Sequence, residues 1–236
     1  MNEQPLNIVR RFADQHLQSF DVVMLAGSAA NMQCSAGSDL DVVAFSKQAE
    51  VAYRQVLTFE QRPVELFAFP VKGLEKLFEY NAQQGLPTIM RMIAEGKVVV
   101  DNGLANSLKR QAERYLKSGP APWSLDEMNQ ARFQITENLI DLADAHSMEE
   151  AQFIAIHLFM LCCRFWLRVN DKWIGEGKWL KRELEQASPH LYRQGVESLR
   201  EFFRSGSVQM MIAWADQIIA PYGGRLYEGF ASEAYL

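Results

Sequence analysis

Two aspartates at alternating positions, Asp39 and Asp41 in Ser38-Asp39-Leu40-Asp41, are the residues whose spacing carries the most chemistry. On a strand, residues i and i+2 point to the same face. Two residues of rise place them about 6.6 Å apart, so both carboxylates can converge on one small site. Without compensation they repel, and one tends to protonate. A divalent cation removes that penalty, and Mg²⁺ prefers carboxylate oxygens while leaving positions open for substrate phosphates. Leu40, Val42 and Val43 flank the pair, so the strand carries acid on one face and apolar residues behind it. A third acid, Glu65, sits in the otherwise apolar Arg62-Pro-Val-Glu-Leu-Phe-Ala-Phe69. Three converging acids can hold two ions about 3.5–4 Å apart, which clamp the attacking and leaving oxygens of an in-line displacement. Upstream, Gly27-Ser28 follows an apolar run. Glycine lets backbone approach a ligand closely, amides at a following helix start can hold phosphate oxygens, and the Ser28 hydroxyl adds a donor. Ser38 precedes the first aspartate and orients the loop or adds a polar group to the site.

The elements that must position these residues alternate in the first half. Apolar residues at Ile8, Val9, Phe12, Leu17 and Phe20 give Pro5–Phe20 a helical spacing, and residues 21–26, 40–45 and 64–69 read as strands. The spacing predicts a helix over Ser46–Leu57, helices over Val71–Asn81 and Thr88–Glu95, a short strand at Lys97–Val100 and a helix over Ala105–Leu116. Strands interleaved with helices imply an α/β (α+β) layered domain over residues 1–118. Gly119-Pro-Ala-Pro122 is a break, and only helices follow, which reads as a C-terminal all-α antiparallel bundle over residues 124–236. Ser124-Leu-Asp-Glu127 and Ser147-Met-Glu-Glu150 both fit a capping box. Pro189 and Pro221 are breaks between later helices.

The 236-residue chain is 48% hydrophobic and 22% charged, enough apolar material for a real core. A net charge of -5 argues against duplex nucleic acid as the main partner, because phosphate binding usually shows as a basic face. Three cysteines, Cys34, Cys162 and Cys163, are no disulfide framework and fit a reducing cytoplasm. Cys162 and Cys163 read as buried small hydrophobes. The start, Met1-Asn2-Glu3-Gln4, lacks the regions of a signal peptide, and the most apolar run, Phe153–Cys163, is too short to span a bilayer. No membrane partner is expected. The histidines show no pairing with arginine of the kind found in helical ribonuclease toxins. The Glu137, Asp141 and Asp144 stripe reads as a solvated face, as does Arg164, Arg168 and Lys172; core packing accounts for most of Trp123, Trp166, Trp173 and Trp179.

Gly27-Ser28, nine residues and then Ser38-Asp39-Leu40-Asp41 before apolar residues resembles the DNA polymerase beta nucleotidyltransferase superfamily. The gap, the Arg-x-x-Glu strand and the helical second half are most similar to the antibiotic nucleotidyltransferases, such as the aminoglycoside adenylyltransferases. The resemblance implies a mixed sheet flanked by helices, Mg²⁺, and transfer of a nucleoside monophosphate from ATP or another nucleoside triphosphate to a hydroxyl of a small acceptor, with loss of pyrophosphate. It makes Asp39 and Asp41 metal ligands, Glu65 a third ligand or the general base, and Gly27 and Ser28 binders of the β- and γ-phosphates. It also implies a lysine from the helical half on the triphosphate, for which Lys178 is the best candidate, with Lys181 or Arg182 as substitutes. The helical domain would then serve the acceptor and the nucleotide cleft. Two other readings stay open: transfer to a protein hydroxyl, and a non-catalytic or antitoxin-like nucleotide-binding module, against which the three intact acids count.

Overall fold

A computed structural model describes residues 4–30 and 38–232. Cys34, Met1–Glu3 and the middle of the stretch between Gly27 and Asp41 lie outside the described residues. The chain divides into two compact units, Met1–Gly119 and Pro120–Leu236.

The first unit is built on a mixed sheet. Its strands are β1 (Val22–Leu25), β2 (Leu40–Ser46), β3 (Tyr53–Phe59), β4 (Arg62–Pro70) and β5 (Lys97–Asp101), in the spatial order β3-β4-β2-β1-β5. Among the described strands only β2 and β4 pair in parallel; β1 is antiparallel to both β2 and β5, and β3 is antiparallel to β4. Helix α1 (Pro5–His16) packs Ile8, Val9, Phe12 and Ala13 in one buried cluster with Val23, Leu25, Leu40, Val42, Ala44, Val64, Leu66 and Ala68. The even-numbered residues of β2 and β4 therefore face α1. Burying a side chain such as Phe12 stabilises the fold by about 1.5–3 kcal/mol. Their odd-numbered neighbours face the other way: Asp41, Val43 and Phe45 on β2, with Glu65, Phe67 and Phe69 on β4. Phe45 and Phe69 stack there at 5.8 Å between ring centroids. Along the chain a short turn of helix α2 (Gly27–Ala30) lies between β1 and β2, α3 (Leu74–Gln84) and α4 (Thr88–Glu95) lie between β4 and β5, and α5 (Ala105–Ser118) follows β5. Asp101 accepts from the amides of Gly103, Leu104 and Ala105 at 2.8–3.0 Å and so anchors the start of α5.

The expected helix over Ser46–Leu57 is not there. Residues 53–59 instead form strand β3, which turns at Glu60 and Gln61 and pairs along the length of β4. Both turn residues have positive φ, +48° and +62°, the geometry of a tight two-residue hairpin turn. Arg11 on α1 holds the Glu60 carboxylate at 2.8 Å through Nε and keeps its pKa below the usual carboxylate range. Residues 53–56 are exposed, so no alternation of buried and exposed positions marks this strand in the sequence. What makes it a strand is the unpaired edge of β4 beside it.

The second unit is a set of helices: α6 (Leu125–Ala143), α7 (Met148–Val169), α8 (Lys178–Ala187), α9 (Pro189–Ser205) and α10 (Gln209–Ile219), followed by a 3-10 turn at Ala220–Tyr222. The capping box at Ser124 is complete: Ser124 Oγ accepts from Glu127 N at 3.2 Å and Glu127 accepts from Ser124 N at 2.7 Å. At α7, Ser147 Oγ accepts from Glu150 N at 3.1 Å, but the Glu150 carboxylate takes the amide of His146 instead, at 2.9 Å. Helix α7 extends the apolar run Phe153–Cys163 on both sides to 22 residues, so by length and composition it can cross a membrane, contrary to the estimate from the run alone. Here it is a core helix: Ala155, Leu158, Cys162, Cys163, Phe165 and Leu167 are buried among α6, α8, α9 and α10.

Arg168 departs from the expected exposed stripe. It is 2% exposed, donates to the Ala121 carbonyl at 2.9 Å and lies over the Trp123 ring at 5.3 Å. Loss of water around it pulls its pKa down. Arg164 is half-buried near Glu176 at 3.6 Å, and Lys172 is exposed. Asp141 and Asp144 are exposed and Glu137 half-buried.

Candidate active site

Strands β2 and β4 run in parallel with Asp41 directly beside Glu65. Register partners in neighbouring strands point to the same face across a spacing of about 4.8 Å. Asp39 lies one residue before β2 and two before Asp41, on that same side of the extended chain. One carboxylate oxygen from each of Asp39, Asp41 and Glu65 lies within 4.8 Å of the other two. Asp39 is exposed, and Asp41 and Glu65 are half-buried. The register is pinned from behind, where Leu40, Val42, Val64 and Leu66 are buried against α1. A slip by one residue would turn both acids into that core, so the apolar face of the sheet is what holds the polar one in place.

Gly27 completes the site from β1. The strand continues past Leu25 through a hydrogen bond from Ala26 N to Asp41 O, 2.8 Å long. Gly27 then takes φ +60°, a conformation that L side chains rarely adopt. A Cβ at this position would overlap Asp41 Oδ2 and stand 2.8 Å from Asp41 Cγ. The glycine is thus needed so that the Asp41 carboxylate can lie against its backbone. Ser28 follows, exposed, on the first turn of α2.

Two arginines join the site that the sequence reading did not place in it. Arg62, the first residue of β4, donates from Nη2 to the Ser38 carbonyl at 2.9 Å and so ties down the residue before Asp39. Its Nε is buried with no hydrogen-bond partner among the described residues. Arg54 on β3 donates from Nε to Glu65, and its guanidinium lies 5.3 Å from the centre of the Phe67 ring. The Arg-x-x-Glu spacing held a signal for Arg62. Arg54 had none, because its segment reads as a helix.

An all-oxygen set of three acids fits a hard cation such as Mg²⁺ or Mn²⁺ and suits a thiophilic metal poorly. Gly27 suits such an ion site because, lacking a Cβ, it lets the Asp41 carboxylate lie against its backbone beside Asp39 and Glu65.

Lys178 is the first residue of α8 in the helical unit and is exposed. Its named substitutes are otherwise engaged: Lys181 bonds Glu185 at 2.5 Å and lies over Tyr192, and Arg182 stacks over Trp179 at 4.6 Å. Trp173 is buried, and Trp179 is 41% exposed beneath that arginine.

The sequence matches no protein-family model and no curated protein. Among solved structures, a nucleotidyltransferase-like protein from Exiguobacterium sibiricum matches the fold. The match covers 92% of this chain and 74% of that one, with a TM-score of 0.50 and 8% sequence identity. At that identity the likeness is one of fold.

Proposed function

We propose that this chain is a metal-dependent nucleotidyltransferase that moves a nucleoside monophosphate from ATP to a hydroxyl of a small acceptor, aminoglycoside-like in class. The observation that carries this reading is the in-register pair Asp41 and Glu65 with Asp39 beside them, packed against a glycine that tolerates no side chain. The fold shared with a nucleotidyltransferase-like protein supports it.

Asp39, Asp41 and Glu65 would hold Mg²⁺. When bound, the ion offsets the carboxylate charge and draws electron density from the phosphoryl oxygens. The chain's own residues supply the rest. Gly27 lets the Asp41 carboxylate lie against its backbone, and Ser28 offers a hydroxyl and an amide to the β- and γ-phosphates. Arg62 keeps the residue before Asp39 in place. The acceptor oxygen forms its bond to the α-phosphorus as the bond to the β-phosphate oxygen breaks, and pyrophosphate leaves. Glu65 either completes the ligand set or takes the acceptor's proton.

The test is incubation with each α-labelled nucleoside triphosphate, Mg²⁺ and a panel of hydroxyl acceptors, with Asp41→Asn as control. The expected result is metal-dependent transfer of label with release of pyrophosphate, absent in the control because an amide cannot supply the charge that holds the cation. Metal-dependent nucleotide binding that survives intact in Asp41→Asn overturns the assignment.

A further inference from the structure

We infer that Arg54 is a displaceable counterion built into the candidate site: it pairs with the Glu65 carboxylate, competes with a cation for it and thereby weakens metal binding. The inference rests on reading Asp39, Asp41 and Glu65 as a metal site.

Strand β3 is the outer edge of the sheet, and its pairing with β4 sets Arg54 opposite Phe67 and Val56 opposite Glu65. Arg54 is therefore on the acid-bearing face, one diagonal step from Glu65, within reach of a long side chain. It uses that reach, donating from Nε to Glu65 Oε1. The face of Phe67 supplies a second attraction for the guanidinium.

The two partners of this ion pair are unequally sheltered. The Glu65 side chain is 14% exposed, whereas that of Arg54 is 67% exposed. A carboxylate fixed on an inner strand is paired with a cation that has open solvent on its other side. The arginine can leave without disturbing the sheet, and the carboxylate cannot. A cation approaching Asp39 and Asp41 meets a third ligand already neutralised. It must push the guanidinium aside or accept a like charge next to it, and both lower its affinity.

An ordinary surface ion pair would affect stability slightly and metal binding not at all, so metal affinity separates the two roles. The full-length chain is titrated with Mn²⁺ alone at low ionic strength, without nucleotide, and the free ion is followed by electron paramagnetic resonance. Arg54→Ala is expected to tighten Mn²⁺ binding about fivefold, the size of one removed ion pair with a sheltered partner. Arg54→Lys, which keeps the charge, should stay within about twofold of wild type. In a Glu65→Gln background, Arg54→Ala should change the affinity by less than about twofold, because the competition for that carboxylate is gone. Thermal unfolding reports whether each variant is folded. Unchanged Mn²⁺ affinity in folded Arg54→Ala overturns the inference and leaves the metal site standing. Weaker binding in that variant overturns it too and makes Arg54 a residue that holds Glu65 in position. If neither wild type nor any variant binds Mn²⁺, the metal-site reading fails and this inference goes with it.

Discussion

Replacing Gly27 by alanine should damage the site more than the fold. Two costs can be worked out from the structure. Gly27 sits at φ +60°, and a left-handed conformation costs a residue with a Cβ about 1–2 kcal/mol. The new Cβ would also overlap Asp41 Oδ2 and stand 2.8 Å from Asp41 Cγ. The Asp41 side chain can escape only by leaving its rotamer, at a further cost of about 1 kcal/mol. The sum is about 2–3 kcal/mol, which for a unit of this size lowers the melting temperature by roughly 8–12 °C. The larger consequence is that Asp41 no longer points beside Asp39 and Glu65, so Mn²⁺ affinity should fall by more than about tenfold. Calorimetry and the Mn²⁺ titration measure the two effects separately. The Asp41→Ala background is the control. There Asp41 keeps just its Cβ, 3.2 Å from the new methyl, and the cost of Gly27→Ala should shrink toward the backbone strain. A Gly27→Ala protein that binds Mn²⁺ as tightly as wild type, or that costs the same stability in both backgrounds, refutes the reasoning.

Glu65→Gln should keep ATP binding and slow transfer in single-turnover assays by about 10²–10⁴-fold if the carboxylate takes the acceptor proton; a normal rate removes it from that role. Arg62→Ala should lose about 1 kcal/mol of stability with its bond to the Ser38 carbonyl and weaken Mn²⁺ binding, and Arg62→Lys should restore part of the affinity. Equal Mn²⁺ binding in wild type and Arg62→Ala would show that the loop before Asp39 needs no such tie. Lys178→Ala should weaken ATP more than AMP with the melting temperature unchanged, since a cation for the β- or γ-phosphate has no target in a monophosphate; equal losses assign Lys178 to the surface. Burial pushes the Cys163 thiol from its ordinary 9.0 up to about 12, so its folded pKa lies above the unfolded one. Its contribution is whole below pH 9 and is lost as pH rises toward 12. Denaturant titrations at pH 8 to 11 should show wild type losing stability faster with pH than Cys163→Ala, and a thiol reagent should label Cys162 and Cys163 only after unfolding.

The spacing of Asp39 and Asp41, the lone acid in the apolar strand around Glu65, the glycine ahead of them and the helix start at Ser124 were all legible in the sequence. So was the change from alternating elements to helices alone after Gly119. Each is a local signal: side-chain direction repeats every two residues on a strand, and a capping serine bonds an amide three residues on. That Glu65 could join the two aspartates was legible, but its place directly beside Asp41 was not, because it depends on which strands become neighbours and in what register, and the chain between them can fold back in more than one way. The same is true of β3. Its exposed residues carry no pattern of their own, and the open edge of β4 makes them a strand. Arg54 and Arg62 entered the site only with that pairing, and Arg168 proved to be a buried residue clasped to Ala121 and Trp123. Gly27 shows the division at a single residue. The sequence shows that a glycine stands there, and the tertiary structure supplies the reason, a carboxylate from another strand filling the space a methyl group would need.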